Sequence, residues 1–565
     1  MVSSKRPPSR LHVSRRSYRI INERIYCRLQ QRWSFVFMIA LIFVLVLVTH
    51  HLFTLNIHAP MYSSTEGAHD QIESGVISGE GKDRKTMDGA DVEKDFQKQW
   101  FRMQRARVDW KAMLVPCGYV NSVVNRAMIG WGGMNATSVK KSFVEYTEIR
   151  PTGQFSRIFI RTRTTDGRYK AIGGDFWMVI FSGPVNVTAT VFDHNNGSYE
   201  AIALLVDPGY YTIIAIIERS LCEGYREPKP SFYAYFMKGH YKRIYNVSEE
   251  IAPLPPRRFY VWGGIDTTKI RFHVPESRDD VEKRLRSVFH HRSCATNCRS
   301  IWTGLGRWIG KVWKPYLKTD DHDLNMTRVA KERRQPLETL YIVGDSTNRM
   351  FSQEYFHRKK LCHGKKIWNR CIWRQQKIFP LEKTPNPKAV KFSERYGNVS
   401  ERFRFNVYLD SIRAAFQAEG MNSNRSLLIL HYNTHQTKYL TFAQWKKLIH
   451  EVITLLKNRR KLFGSQAQVV WKTMTAVGYT GAFYQFEGMY HTAFRIRLFA
   501  AYALSQMCKA GFEIYDVYPM SASTLIGARD RVHFLRGVFS KAMEALTWWY
   551  LSNDKQKTTD ICFET

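Results

Sequence analysis

From about residue 338 onward, short apolar runs alternate with amphipathic stretches. "TLYIVGD", "SLLILHYN", "AQVVWKTM" and "FEIYDVYP" read as strands buried on both faces. "TNRMFSQEYFHRKK", "TFAQWKKLIHEVITLLKNRR", "HTAFRIRLFAAYALSQMCKAG" and "RDRVHFLRGVFSKAMEALTWWYLS" read as the helices between and after them, with Thr441 as an N-cap and Gly511 as a C-cap. Strands without alternation, each followed by a helix, predict a three-layer α/β domain with a parallel sheet over 338–555. Between 147 and 220 the period changes to two. "SRIFIRTR", "DFWMVIFS", "VNVTATVFD", "SYEAIALLVD" and "YYTIIAIIE" are separated by the turn signals "TDGR", "IGGD", "HNNG" and "DPGY". Short strands at this spacing predict a β-sandwich. Residues 221–335 carry two nearby cysteines, and "PPRRFYVWGGIDTTKIRFHVPE" within them suggests further strands, but the segment is assigned no fold of its own.

The N-terminal pattern changes the picture. Residues 1–32 hold nine Lys or Arg and one Glu, and the chain then runs to Glu66 without another charged Asp, Glu, Lys or Arg. The stretch 33–53 is long enough to cross a bilayer as a helix of about 20 residues. Positive charge on its N-terminal side keeps that end cytosolic, so a single-pass type II signal anchor is expected, with the rest of the chain luminal or extracellular. Residues 54–110 are polar and Gly- and Ser-containing, and are expected to be a flexible stem. The net charge of +36 attracts anions of any kind. Topology turns that expectation from nucleic acid to anionic glycans or glycoproteins of a Golgi or other secretory-pathway membrane.

Two further features agree with that side of the membrane. Seven sequons, at Asn135, Asn186, Asn196, Asn246, Asn325, Asn398 and Asn424, all follow the anchor. Cys27 precedes it, and Cys117, Cys222, Cys294, Cys298, Cys362, Cys371, Cys508 and Cys562 follow it. An even luminal count points to disulfides whose pairing the sequence leaves open. "HHRSCATNCR" alternatively offers His290, His291, Cys294 and Cys298 to zinc, with imperfect spacing, and disulfides are expected over a metal site.

Candidate chemistry begins at "LYIVGDSTNRMF", where Ser346 leaves an apolar strand in a Gly-Asp-Ser turn. Ligands of parallel sheets bind at the carboxyl ends of strands, which is where this serine falls. A serine nucleophile needs a histidine base and usually a carboxylate to orient it. "ARDRVHFLRG" supplies Asp530 and His533, which share a face if they start the last helix. Strand, Gly-Asp-Ser and helix, followed by a terminal D-x-x-H in the same domain, resemble the GDSL/SGNH hydrolase superfamily and, more narrowly, its PC-esterase branch. "VFDHNNGSYEAIALLVDPGYYTIIAIIE" is similar to the end of a filamin-type immunoglobulin repeat. That order of domains resembles the neurexophilin and PC-esterase domain (NXPE) family over about 150–555.

The resemblance implies an acyl-enzyme mechanism with Ser346 as nucleophile, His533 as general base and then acid, and Asp530 as its orienting partner. It implies oxyanion donors from the Ser346 backbone N–H and Asn433, with His435 and Gly397 as further candidates. It also implies no bound cofactor, and leaves the acyl donor, acetyl-CoA or an acylated intermediate, open. The sequence "HYNTH" departs from the superfamily's Gly-x-Asn-Asp in lacking the Gly and the second Asp. The basic stretch "HRKKLCHGKKIWNRCIWRQQK" places Trp368, Arg370, Trp373 and Arg374 as substrate-binding candidates, in a loop that Cys362 and Cys371 could staple. Two functions are thus expected. One is an O-acyl, chiefly O-acetyl, transferase or esterase acting on glycans, sialylated ones included. The alternative is a non-catalytic, ligand-like or adhesive ectodomain that binds a protein partner through the filamin-like module.

Overall fold

The computed structural model describes residues 89–121, 136–228, 260–265, 270–277, 281–289, 298–316, 337–345, 347, 351, 372–377, 401–432, 435–438, 440–477, 490–524, 528, 532–535, 537–552 and 559–560. The expected anchor at 33–53 and the basic tail lie outside these residues. No helix among the described residues is long and apolar enough to cross a membrane.

Nine strands succeed one another in the first half: Phe143–Glu148 (β1), Gln154–Arg161 (β2), Phe176–Ser182 (β3), Asn186–Thr188 (β4), Thr190–Asp193 (β5), Ser198–Leu205 (β6), Gly209–Arg219 (β7), Tyr260–Gly264 (β8) and Arg271–Val274 (β9). Arg299–Trp302 (β10), Gly306–Ile309 (β11) and Val312–Pro315 (β12) follow. Two antiparallel sheets result. One has the order β1-β2-β6-β5; the other has β12-β11-β4-β3-β7-β8, with β9 also paired to β7. Their facing side chains, among them Ile158, Ile160, Val179, Phe181, Tyr199, Ala201, Ile213 and Ile217, form a closed apolar core. In the turn into β6, Gly197 has φ +79° and a Cβ there would meet the Lys170 carbonyl oxygen at 2.2 Å, so the turn requires glycine.

Two expected boundaries are corrected. The sandwich is not confined to 147–220, because 221–335 contributes β8, β9, β11 and β12 to it. These strands are short, and they cover edges that the longer strands would otherwise leave unpaired. The stem at 54–110 is also not all flexible. Gly89–Arg105 (α1) is a helix that buries Phe96 and Trp100 against Phe155, Ile202 and Leu204 of the smaller sheet, together with Leu285 and Val288 of Val281–Phe289 (α2).

The second half is built on Thr339–Gly344 (β13), Ile372–Lys377 (β14), Ser426–Leu430 (β15), Gln468–Lys472 (β16), Glu513–Tyr515 (β17) and Thr559–Asp560 (β18). The order is β14-β13-β15-β16-β17-β10-β18, parallel throughout except for β18. The sheet therefore borrows β10 from the expected connector and β18 from beyond residue 555. Helices Glu401–Phe416 (α3), Phe442–Lys457 (α4) and Ala493–Lys509 (α5) pack on one face against Val343, Leu428, Leu430, Val469 and Trp471. Ser540–Ser552 (α6) and Phe351 pack on the other, against Leu340, Ile342, Leu427, Ile429 and Val470. Thr441 caps α4 in a reciprocal capping box with Gln444, and Gly511 follows α5 at φ +81°, both as the sequence predicts.

Disulfides join Cys117 to Cys222 and Cys298 to Cys508, as expected of an oxidising, luminal or extracellular environment. The second pairing removes Cys298 from the zinc alternative. Among the described residues no group of three His, Cys, Asp or Glu side chains could hold a metal ion.

Candidate active site

The chain leaves β13 for β14 on one side and returns to β15 on the other, so the strand order reverses between β13 and β15. In open parallel sheets that reversal opens a crevice at the carboxyl ends of the strands. At the ends of β13, β15 and β16 there stand Asp345, His431 and Lys472, the first two just past their strands and the last closing its own, all buried.

Asp345 organises the turn. Its Oδ1 accepts from the Thr347 backbone N–H at 2.9 Å and from the Thr347 hydroxyl at 2.6 Å, which is how an aspartate caps a helix start. His431 Nε2 lies 2.9 Å from Thr347 Oγ1 and 3.5 Å from Asp345 Oδ1. The threonine hydroxyl has one proton and gives it to Asp345, so His431 Nε2 carries the proton it donates to Thr347. Burial alone would raise the Asp345 pKa; His431, His435 and the Thr347 bond outweigh it and hold the carboxyl well below its ordinary value. Burial and then the Lys472 charge lower the His431 pKa against the pull of Asp345.

Lys472 is completely buried, and its Nζ finds no hydrogen-bond partner. It lies 5.0 Å from the Phe351 ring centroid, and burial, opposed by Asp345, brings its pKa down to about 7. His491, just before the N-cap of α5, is also fully buried with neither ring nitrogen partnered. Burial and then Lys438 and His435 push its pKa well below the ordinary value, against Asp345, and the His533 charge adds to the lowering. His431, His435, His491 and Lys472 thus interact electrostatically with the Asp345 carboxylate.

Of the expected triad, His533 is described and half-buried, while Ser346 and Asp530 lie outside the described residues, as do Asn433 and Gly397. His533 does not start the last helix. It sits in an irregular stretch where Ala528 bridges Phe534, and α6 begins only at Ser540. Gly537, at φ +93°, is left-handed and stops the helix from extending back. Aromatic contacts tie that stretch to Phe351: Phe534 to Phe539 at 5.6 Å, and Phe539 to Phe351 at 6.0 Å. His435, half-buried, follows β15 on the same edge.

Trp368 and Arg370 lie outside the described residues. Trp373 and Arg374 correct the loop expectation, since both belong to strand β14 beside Leu340 and Tyr341. β14 stands at the end of the described strand order despite its basic composition. Among the sequons, Asn196 and Asn424 are exposed. Asn186 lies on β4, where its Oδ1 accepts from the Ser182 hydroxyl at 2.9 Å; Asn135, Asn246, Asn325 and Asn398 are outside the described residues.

Thr347, His431, Lys472 and His491 were not singled out by sequence reasoning. The available signal was a polar residue placed directly at the exit of an all-apolar strand, as in "LLILH" and "VVWK".

No protein-family model matches the chain, and no curated protein matches it. Solved structures do, over a small part: the filamin domain of Lin-41 is 17% identical, with 14% of this chain and 82% of that chain covered and a TM-score of 0.13.

Proposed function

We propose that the α/β domain is a serine acyl-transfer site of the SGNH, PC-esterase kind, within a chain of NXPE-like organisation. Its substrates on this reading are O-acyl, chiefly O-acetyl, groups of anionic glycans in the secretory pathway, with the protein anchored by 33–53. The observation that carries the reading is the locked Asp345–Thr347–His431 network at the strand-order reversal, which fixes both neighbours of position 346. The packing of the His533 stretch against Phe351 through Phe539 supports it.

In the proposed reaction His533 takes the Ser346 hydroxyl proton as Oγ attacks the acyl carbonyl. The donor's bond to the acyl carbon breaks, and the same proton passes to the leaving group. An acceptor hydroxyl or water then attacks the acyl-enzyme in the reverse sense. Each oxyanion donor, with Asn433 as the side-chain candidate, is expected to contribute about 3 kcal/mol to the transition state.

Labelling of the full-length protein with a serine-reactive fluorophosphonate tests this. Labelling is expected in the wild type and lost in Ser346→Ala and His533→Ala. Absence of labelling in folded wild-type protein, or its persistence in Ser346→Ala, overturns the assignment.

A further inference from the structure

At the opposite end of the parallel sheet from Asp345, His431 and Lys472, a cleft of about 790 Å³ opens where β15, β16 and β17 begin. A volume of several hundred Å³ is that of an ordinary ligand site. Arg425 lines it just before β15, Lys457 at the last turn of α4, and Arg459 and Arg460 in the short helix Arg459–Phe463 that follows. Glu513, the first residue of β17, is the one acid among the described lining residues.

Cations commonly stand at a helix C-terminus because they answer its free carbonyls. At the end of α4 that role is taken by Asn458, whose side-chain amide donates to the Thr454 carbonyl at 3.0 Å, and by Arg459, which donates Nη1 to the Leu456 carbonyl at 2.9 Å and Nε to that of Ala467 at 3.0 Å. Arg425 is paired with Glu338. Burial raises the Glu513 pKa, and the charges of Arg299 and Arg459 pull against it, so this acid is answered as well. Lys457 and Arg460 are left over. Both are exposed, and among the described residues neither makes an ion pair or a side-chain hydrogen bond. The exposed amide of Gln466 stands on the same lining. Cations beside an amide suit a ligand that carries both anionic groups and hydroxyls. A flat lipid surface does not enter a cleft, and an oxidising, luminal or extracellular environment offers sulfated polysaccharides rather than nucleic acid as polyanions.

We propose that this cleft binds a sulfated glycan chain, with Lys457 and Arg460 holding sulfate groups and Gln466 a sugar hydroxyl. It stands at the end of the sheet away from Ser346 and does not depend on the chemistry there.

Acetylation of exposed lysines in the full-length protein, mapped by mass spectrometry with and without a heparin hexasaccharide, tests it. Lys457 is expected to lose most of its labelling, while Lys140 and Lys141, exposed on the sandwich, keep theirs. Asn424 lies on the cleft and begins a sequon, so Asn424→Gln is mapped beside the wild type, and protection of Lys457 in either supports the site. Lys457→Gln with Arg460→Gln is expected to weaken hexasaccharide binding about tenfold at about 0.15 M salt, and Lys140→Gln with Lys141→Gln, which removes the same charge, to leave it unchanged. All four side chains are exposed, so both variants should fold, which an unchanged Tm checks. Absence of Lys457 protection from both the wild type and Asn424→Gln, equal weakening by the two double variants, equally tight binding of the desulfated hexasaccharide, or protection of Lys457 by phosphatidylserine vesicles and not by the hexasaccharide overturns the proposal.

Discussion

Replacing Lys472 by methionine should stabilise the protein, and should do so most at low pH. The lysine leaves β16 on the side shared with Phe351 and Tyr515, and its amine is fully buried without a hydrogen-bond partner. Burial brings its pKa from the ordinary 10.5 to about 7, against the attraction of Asp345. At about 1.4 kcal/mol per tenfold, that difference penalises the charged amine in the folded state by roughly 5 kcal/mol. The folded value lies below the unfolded one, so between about pH 7 and 10.5 the unfolded chain binds one more proton than the folded chain. The contribution to stability consequently rises with pH through that window; the full penalty applies below it and vanishes above it. Methionine has similar length and no charge. Loss of the Asp345 attraction and imperfect packing offset part of the gain, leaving a net of about 1–3 kcal/mol at pH 6. In a domain of this size that is roughly 3–8 °C in Tm. Thermal unfolding of wild type and Lys472→Met at pH 6, 7.5 and 9.5 at constant ionic strength reads the effect. A difference that shrinks as pH rises is expected. A variant less stable than the wild type by the same amount at every pH would refute the argument, because it would mean that the amine is paired and charged.

Trp100→Ala should destabilise the sandwich by about 3–5 kcal/mol, because the indole is only 2% exposed between α1 and the smaller sheet; an unchanged Tm or unchanged resistance to proteolysis between 89 and 228 would show that α1 is dispensable. Glycopeptide mapping of protein from secretory cells should find Asn196 and Asn424 occupied and Asn186 bare, since Asn186 is engaged within a paired strand; a glycan on Asn186 would contradict the pairing of β4 with β11.

What was legible in the sequence was whatever local pattern decides. β13, β15 and β16 are continuous apolar runs because both their faces are covered, and such runs have few alternatives. The run "VNVTATVFD" alternates without a break, yet it is two strands in different sheets, β4 and β5, with the crossing at Ala189. Alternation survives a change of partner, so the sequence does not mark it. The helix α1 carries Phe96, Trp100 and Met103 on one stripe, but its charged neighbours and low apolar content masked that spacing. Around the candidate site, the Gly-Asp-Ser turn was visible because glycine, aspartate and serine form a recognisable signal. Lys472 was not: a lysine ending a strand usually reaches water, and only the tertiary placement of Phe351 and Tyr515 above it closes that route.

The same long-range logic explains why the sandwich cannot be a detachable spacer. The end of β7 and the residues after it reach the start of both helices that follow the candidate strand ends. Glu218 accepts from the Ala493 N–H at 2.6 Å, and Glu227 from the Phe442 N–H at 2.7 Å, so the positive ends of α5 and α4 are each met by a carboxylate from the sandwich side. Arg495, fully buried, donates to the carbonyls of Tyr225 and Arg226 with one nitrogen and to those of Thr437 and Leu440 with two others. Thr437 and Leu440 belong to the connection that carries His435 from β15 to α4. A single buried guanidinium therefore ties the sandwich tail to the loop at the strand-order reversal. Taking the sandwich away would leave Arg495 with half its acceptors and two helix N-termini without their carboxylates. Each loss is large for a buried charge. The antiparallel half of the molecule thereby fixes the loop geometry on which any chemistry at the parallel half depends.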